Sequence, residues 1–197
     1  MINILPKDGE VFYKPDLFSP VESQRFFKLL QDEIKWRHEP IMLFGKQIMQ
    51  PRLTAWYGDE GKIIRYSGIK MQPLPWTSTL KEIKTRVESF ADITFNSVLL
   101  NQYRNEKDSM GWHRDNESEL GKDPVIASVS FGAIRTFYFR HAAEPKLKKS
   151  IPLNDGSGLI MRGSTQQHWY HSLPKLTYPI NPRINLTFRI IKYELVP

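Results

Sequence analysis

The sequence predicts an α+β fold dominated by β: an antiparallel sandwich or jelly roll with helices packed on one face. Two observations predict it: two helical stripes in the first half, and a change of hydrophobic period to two near residue 95. Short strands behind a pair of helices, divided by turn-forming residues, are the pattern of such layered folds.

The first helix opens at Ser19-Pro20, a capping side chain followed by a residue whose missing N–H costs nothing at that position. Phe26, Phe27, Leu30 and Ile34 then recur at helical spacing to about Trp36. A second helix starts near Thr77 or Ser78, where Leu80, Ile83, Val87 and Phe90 advance by three, four and three. Both stripes read as core faces. Val98-Leu99-Leu100, Val125 to Phe131, Thr136 to Phe139, Leu159 to Met161 and Arg183 to Lys192 are β-rich runs separated by Gly, Pro, Asn and Asp clusters. Nothing repeats at a fixed period and no linker-like run divides the chain, so residues 1–197 read as one domain.

Composition narrows the functions. At 197 residues, 40% hydrophobic and 25% charged, the chain can bury about 70% of its unfolded surface and needs no covalent staple. The absence of Cys excludes a disulfide framework, zinc fingers, iron–sulfur clusters and thiol catalysis, and suits a reducing compartment. No apolar run approaches the ~20 residues of a membrane span, and the N-terminus lacks the pattern of a signal peptide. An intracellular protein with no membrane partner is expected. A net charge of +7, a pI near 9.5 and a mean hydropathy of −0.45 favour a polyanionic partner.

In Gly111-Trp112-His113-Arg114-Asp115 the imidazole and carboxylate lie two residues apart, so an extended backbone turns both to one side. With a further His they form the two-His, one-carboxylate set that holds non-haem Fe(II) and leaves positions open for cosubstrate and oxygen. Of the five histidines, His38 falls at a helix exit and His141 at a charged strand end, whereas His168-Trp169-Tyr170-His171 follows a strand and a Gly163 turn. His171 is the preferred third ligand, with His168 its competitor.

Pro182 to Ile190 alternates strictly, with Arg183, Asn185, Thr187 and Arg189 on one face and Ile184, Leu186, Phe188 and Ile190 on the other. The two guanidinium groups stand ~20 Å apart along an ideal strand and converge only on something between them. A short dicarboxylate fits, since each guanidinium offers a planar fork to a carboxylate. Asn101-Gln102-Tyr103 adds an amide and a phenol to the same pocket.

Taken together, Asn101-x-Tyr103, His113-x-Asp115, His171 and Arg183-x-Asn185-x-Thr187-x-Arg189 resemble, in order and spacing, the AlkB family of Fe(II)/2-oxoglutarate dioxygenases. The likeness continues through Pro51-Arg52, Tyr57-Gly58-Asp59, Tyr66-Ser67-Gly68, Ala127 to Gly132 and His168 to Pro174, so it covers about residues 40 to 192. It is nearest to the branch that repairs alkylated DNA bases. The resemblance implies a double-stranded β-helix (jelly-roll) core over about residues 93–197, with N-terminal helices and a base-recognition lid over about 1–92.

The resemblance also assigns roles. His113, Asp115 and His171 would ligate Fe(II), with 2-oxoglutarate and O2 as cosubstrates. Arg189, with Asn101 and Asn185, would neutralise the oxoacid end of 2-oxoglutarate, and Arg183 and Tyr103 would hold the far carboxylate beside Thr187. Decarboxylation to succinate and CO2 would accompany hydroxylation of an N-methyl group on 1-methyladenine or 3-methylcytosine and release of formaldehyde. A base inside a duplex must be flipped out to reach such a site. Tyr66 and the ring of His113 would sandwich it, with Tyr57 as a second stacking residue. Asn116 and Glu117 would read the base, and the tip Phe44-Gly45-Lys46 would fill the gap it leaves. Arg52, Lys62, Arg65, Lys70, Arg114 and the Lys146 to Lys149 run are the phosphate-contact candidates. The expected partner is alkylated DNA, single- or double-stranded, bound by a monomer. RNA, free nucleotides or a protein side chain would suit the same chemistry, and a non-catalytic nucleic-acid-binding β-domain is the remaining alternative.

Overall fold

The computed structural model describes residues 1–43, 46–61, 64–66 and 69–192, leaving aside the side chains of 41–43, 46, 64–66 and 69–71. In chain order the elements are β1 (Glu10–Lys14), α1 (Pro20–Glu33), β2 (Pro40–Leu43), β3 (Lys46–Met49), β4 (Leu53–Gly58), β5 (Ile64–Tyr66), β6 (Ile69–Met71) and α2 (Ser78–Ala91). There follow β7 (Ser97–Tyr103), β8 (Met110–His113), a 3-10 turn (Ser118–Leu120), β9 (Ile126–Gly132), β10 (Arg135–His141) and β11 (Lys148–Leu153). The chain continues through β12 (Ser157–Arg162), α3 (Thr165–His168), β13 (Trp169–Leu173) and β14 (Arg183–Arg189).

Two antiparallel sheets carry the fold. The larger runs β1-β12-β9-β14-β7-β4 and the smaller β11-β10-β13-β8. This is the predicted jelly-roll arrangement, and β14 is central in it. Its Ile184, Leu186 and Phe188 join Phe26, Leu30, Leu80, Ile83 and Val87 of the two helices in one buried cluster, so the helices cover the outer face of the larger sheet. Truncating a buried aromatic such as Phe131 in this cluster would cost ~3–5 kcal/mol.

The helix boundaries follow local chemistry. Ser19 Oγ accepts from the Glu22 N–H at 3.3 Å while the Glu22 carboxylate accepts from the Ser19 N–H at 2.8 Å, a reciprocal cap with Pro20 at the first helical position. The helix stops at Glu33, three residues short of the expected end. Thr77 caps α2 by accepting from the Leu80 N–H at 3.2 Å. At the far end of β9, Gly132 adopts φ +88°, and a Cβ there would stand 2.6 Å from the Pro182 carbonyl oxygen, so the tight turn requires glycine.

The division near residue 92 does not describe this architecture. β1 pairs with β12 from Glu10↔Arg162 to Lys14↔Gly158, and β4 pairs with β7 from Leu53↔Gln102 to Gly58↔Ser97. The N-terminal segment therefore supplies both edges of the larger sheet, because a sandwich recruits edge strands wherever the chain passes. Only β2-β3 and β5-β6 form separate two-stranded ribbons among the described residues.

Between the sheets, Val11, Ile126, Phe139, Leu153, Leu159, Met161 and Trp169 make an apolar cluster. Beside it opens a pocket lined by residues of both sheets, among them Asn101, Tyr103, His113, Asp115, His171, Arg183, Asn185 and Arg189.

Candidate active site

Strand pairing brings the histidines together. His113 ends β8 and lies directly opposite His171 on β13, with ring centroids 4.2 Å apart. The pairing shifts register between His171 and Leu173. Beyond His113 the chain leaves the sheet, and Asp115 swings in so that one ligand atom from each of His113, Asp115 and His171 lies within 4.8 Å of the others. His113 Nε2 stands 3.8 Å from Asp115 Oδ1, while its Nδ1 meets the Gly111 carbonyl oxygen at 2.9 Å. An Nδ1–H donated to that carbonyl leaves the Nε2 lone pair for a metal.

Electrostatics prepare the same three groups for a cation. Burial lowers His171 to about 3 and also lowers His113, so both imidazoles are neutral at pH 7. Burial works against the Asp115 carboxylate, but the charge of the facing Arg189 and its hydrogen bond hold it at about 2. Two neutral imidazoles and one ionised carboxylate are the donor set of a facial non-haem iron site, and the buried His171 Nδ1 has no hydrogen-bond partner. The residues fit Fe(II).

The cosubstrate side is built by register. Opposite residues share a face in an antiparallel pair, and β14 sets Arg183 against Tyr103 and Asn185 against Asn101. All four line the pocket, as the alternation predicts. Arg183 is 2% exposed, its Nη2 donates to Ser130 Oγ at 2.8 Å, and its buried Nε has no partner. Its guanidinium carbon lies 5.3 Å from the centre of the Tyr103 ring. Burial lowers this guanidinium to about 10, still a cation at pH 7. A buried cation with an open donor is the complement of a carboxylate.

The other pocket residues take more specific places. Arg189 donates to Asp115 Oδ2 through Nη2 at 2.7 Å and Nε at 3.2 Å, so it joins the His-Asp-His cluster to the pocket wall. Asn185 spends its carboxamide within the protein: Nδ2 donates to Ser128 Oγ and the Val129 carbonyl, and Oδ1 accepts from Thr187 Oγ1. It braces the sheet rather than presenting donors to a ligand. Asn101 accepts from Arg52 Nε at 2.8 Å through Oδ1, which leaves its amino group as the donor for the pocket.

Arg52 and Tyr57 need correction. Arg52 is 3% exposed and engaged with Asn101, so it supports the pocket wall instead of meeting phosphate. Tyr57 is 3% exposed within the main cluster, and its hydroxyl accepts from the Lys35 N–H at 3.0 Å, so no face is open for a base. Tyr57 lies in β4 and Arg52 immediately before it, where the sequence reading assigned no element. His168 closes α3 and its ring lies parallel to that of His141, 6.1 Å between centroids, away from the triad.

Toward the substrate, Asn116 is exposed, and Glu117 has a buried Oε2 without a partner and a carboxyl raised by burial and by the charge of Asp115. Arg114 donates to the Gln167 carbonyl at 2.7 Å and lies over the Tyr170 ring, while Lys146, Lys148 and Lys149 are exposed. Phe44, Gly45 and Lys62 lie outside the described residues, as do the side chains of Lys46, Arg65, Tyr66 and Lys70. Ser128 and Ser130 escaped assignment as site residues although the alternation from Ala127 to Phe131 carries both on one face. Gln166, which accepts from the Asp115 N–H, lies in no motif.

This pairing of a His-Asp-His set with buried arginines defines a class, and comparison with known proteins agrees: a family model for the 2OG-Fe(II) oxygenase superfamily matches residues 10–189. The chain belongs to that superfamily. Within it the chain is similar to AlkB homologues. It is 41% identical over 186 residues to alpha-ketoglutarate-dependent dioxygenase alkB homolog 3 of Homo sapiens, covering 90% of this chain and 64% of that protein. It is 40% identical over 185 residues to DNA oxidative demethylase ALKBH2 of Homo sapiens, covering 89% of this chain and 71% of that one. The chain thus spans less than two thirds of the human alkB homolog 3. The solved structure of OsALKBH1 superposes with a TM-score of 0.65 over 94% of this chain and 99% of that one at 16% identity, a likeness of fold.

Proposed function

We propose that this chain is an Fe(II)/2-oxoglutarate-dependent dioxygenase that removes N-methyl groups from 1-methyladenine and 3-methylcytosine in DNA. The observation that carries the oxygenase reading is Arg189, whose one guanidinium joins the Asp115 ligand to the wall of a pocket also lined by Arg183. The relatives named as DNA oxidative demethylases support the choice of substrate.

When bound, Fe(II) with 2-oxoglutarate and O2 supplies an oxidant that hydroxylates the methyl carbon, leaving succinate and CO2, and the hydroxymethyl product departs as formaldehyde. The protein's part is binding and orientation. Arg183 and Tyr103 receive the far carboxylate of 2-oxoglutarate, and Asn101 and Arg189 face its oxoacid end. His113, Asp115 and His171 would hold the metal beside that pocket. The apolar lining residues Leu99, Phe137, Leu153 and Leu173 would limit water in the pocket.

A base in a duplex is too deep in the stack to reach this cleft, so the lesion is flipped or comes from a single strand. Glu117 and Asn116, two and one residues past the last ligand of β8's loop, meet it first, with Tyr66 as stacking face and Phe44 with Gly45 and Lys46 as the gap-filling tip. Arg65, Arg114 and the exposed Lys146, Lys148 and Lys149 meet phosphates, and affinity falls as salt rises through counterion release. No described helix is long and apolar enough to cross a membrane. The substrate places the protein with DNA, in the nucleoid of a bacterium or the nucleus of a eukaryote, acting as a monomer.

The test is anaerobic loading with Fe(II), then air and a methylated oligonucleotide, with 2-oxoglutarate present or absent. Formaldehyde and a 14-Da mass loss that both require 2-oxoglutarate are expected. Turnover on methylated RNA alone would move the assignment to RNA, and no formaldehyde from any methylated nucleic acid would end it.

A further inference from the structure

Gln166 lies in the wall behind Asp115. Its side chain is 1% exposed, and Oε1 accepts a 3.0 Å bond from the Asp115 main-chain N–H. The amino group of the same carboxamide faces Met161 Sδ at 3.5 Å, a residue that lines the pocket.

Asp115 depends on an outside acceptor. β8 ends at His113, so residue 115 has no strand partner, and a buried N–H left without an acceptor keeps its full cost of desolvation. Gln166 meets that need from a fixed mount. The preceding Thr165 is fully buried, accepts from the Glu10 N–H at 2.8 Å and donates to the Arg162 carbonyl at 2.6 Å, which pins α3 to the β1–β12 edge. Gln167 grips the same loop beside it: its carbonyl accepts from Arg114 Nη1 at 2.7 Å, and its amide donates to the Asp123 carboxylate. The short helix is a clip on the segment from Arg114 to Asp123.

We propose that Gln166 is the positioning residue that fixes Asp115 as a metal ligand. The backbone of Asp115 is held by Gln166 and its Oδ2 by Arg189, so Oδ1 stays 3.8 Å from His113 Nε2, within the ligand cluster, before any ion arrives. Gln166 touches neither metal nor cosubstrate and acts through Asp115 alone. This inference rests on the triad holding a divalent metal. Loss of an outer-shell partner of this kind weakens metal affinity by ~10–100-fold.

The experiment titrates the full chain with Co(II), a spectroscopic substitute for Fe(II), and follows the visible d–d bands and the metal-induced rise in Tm. Gln166→Met keeps the length of the side chain and removes the acceptor, and Gln166→Glu keeps length and acceptor. Gln166→Asn, one methylene short, serves if the Met variant does not fold. The expected result is a Co(II) Kd raised ~10–100-fold with altered bands in Met or Asn, and recovery to the parent's affinity or tighter in Glu. Unchanged affinity and bands in Met or Asn, whatever happens to the metal-free Tm, would reduce Gln166 to packing. A parent chain that binds no Co(II) would overturn the metal reading and the clip with it.

Discussion

Asp115 divides its carboxylate between two neighbours: Oδ2 accepts both Nη2 and Nε of Arg189, at 2.7 and 3.2 Å, and Oδ1 lies 3.8 Å from His113 Nε2. One charge pair therefore joins the end of β14 to the loop after β8, linking the candidate metal site to the candidate cosubstrate pocket.

Arg189→Met leaves a buried carboxylate without its partner. The expected cost is ~3–5 kcal/mol in the stability of the metal-free domain, together with a higher 2-oxoglutarate requirement. Arg189→Lys returns the charge without the fork and recovers only part of both. Urea unfolding and cosubstrate titration check this, and a variant normal in both would dissociate the pair from function.

Removing any one of His113, Asp115 or His171 by substitution to Ala takes one of three protein bonds from the metal. Iron content and succinate release should fall together while the circular dichroism spectrum is kept. His168→Ala should retain both, since its ring packs on His141. The opposite pattern at His168 and His171 would reassign the ligand.

Arg183→Ala should raise the KM for 2-oxoglutarate by a factor that corresponds to ~2–5 kcal/mol, the loss expected when a buried carboxylate loses a charged hydrogen-bond partner. Lys should rescue poorly, because the Ser130 contact and the place against Tyr103 belong to the planar group. Asn185→Ala should act mainly on stability, by ~1–3 kcal/mol, because its bonds run to Ser128, Val129 and Thr187. Steady-state kinetics over a range of 2-oxoglutarate concentrations separates the two effects.

The ligand set also predicts a pH response. In the folded chain His171 sits at about 3 against 6.5 and Asp115 at about 2 against 3.8, so the unfolded chain binds more protons throughout that range. Stability of the metal-free domain is therefore complete above about pH 6.5 and is lost as pH falls through the folded values. Metal binding at pH 6.5 should release no proton from His171 and less than an ordinary imidazole's half proton from His113, whereas two imidazoles at their ordinary value would release about one. Titration calorimetry in buffers of different ionisation enthalpy measures the number directly, and release of about one proton would contradict the buried, neutral pair.

Much of this was readable in one dimension because its physical basis is local. The cap at Ser19, the stripe from Leu80 to Phe90 and the alternation from Arg183 to Arg189 depend on residues a few positions apart, and the elements stand where the spacing places them, with α1 ending slightly early. The β14 pattern even divides correctly into a core face and a pocket face. The H-x-D pair and the arginine strand, with the family resemblance they carry, lead to the metal and the cosubstrate.

What only the tertiary structure decided depends on pairing between distant segments. His171, the ligand the sequence already preferred, stands with His113 and Asp115 because β13 begins at Trp169 and sets it opposite His113, while its competitor His168 belongs to the preceding helical turn. Arg52, just before β4, and Tyr57 within it are buried because β4 pairs with β7 at the edge of the larger sheet. Asn185 spends its amide on Ser128 and Val129 because β9 happens to be its neighbour, and Gln166 reaches Asp115 across a gap of some fifty residues. Side-chain periodicity is a property of one segment and sequence displays it; which segments become neighbours is set by the packing of the whole sandwich, and that appears only when the chain has folded.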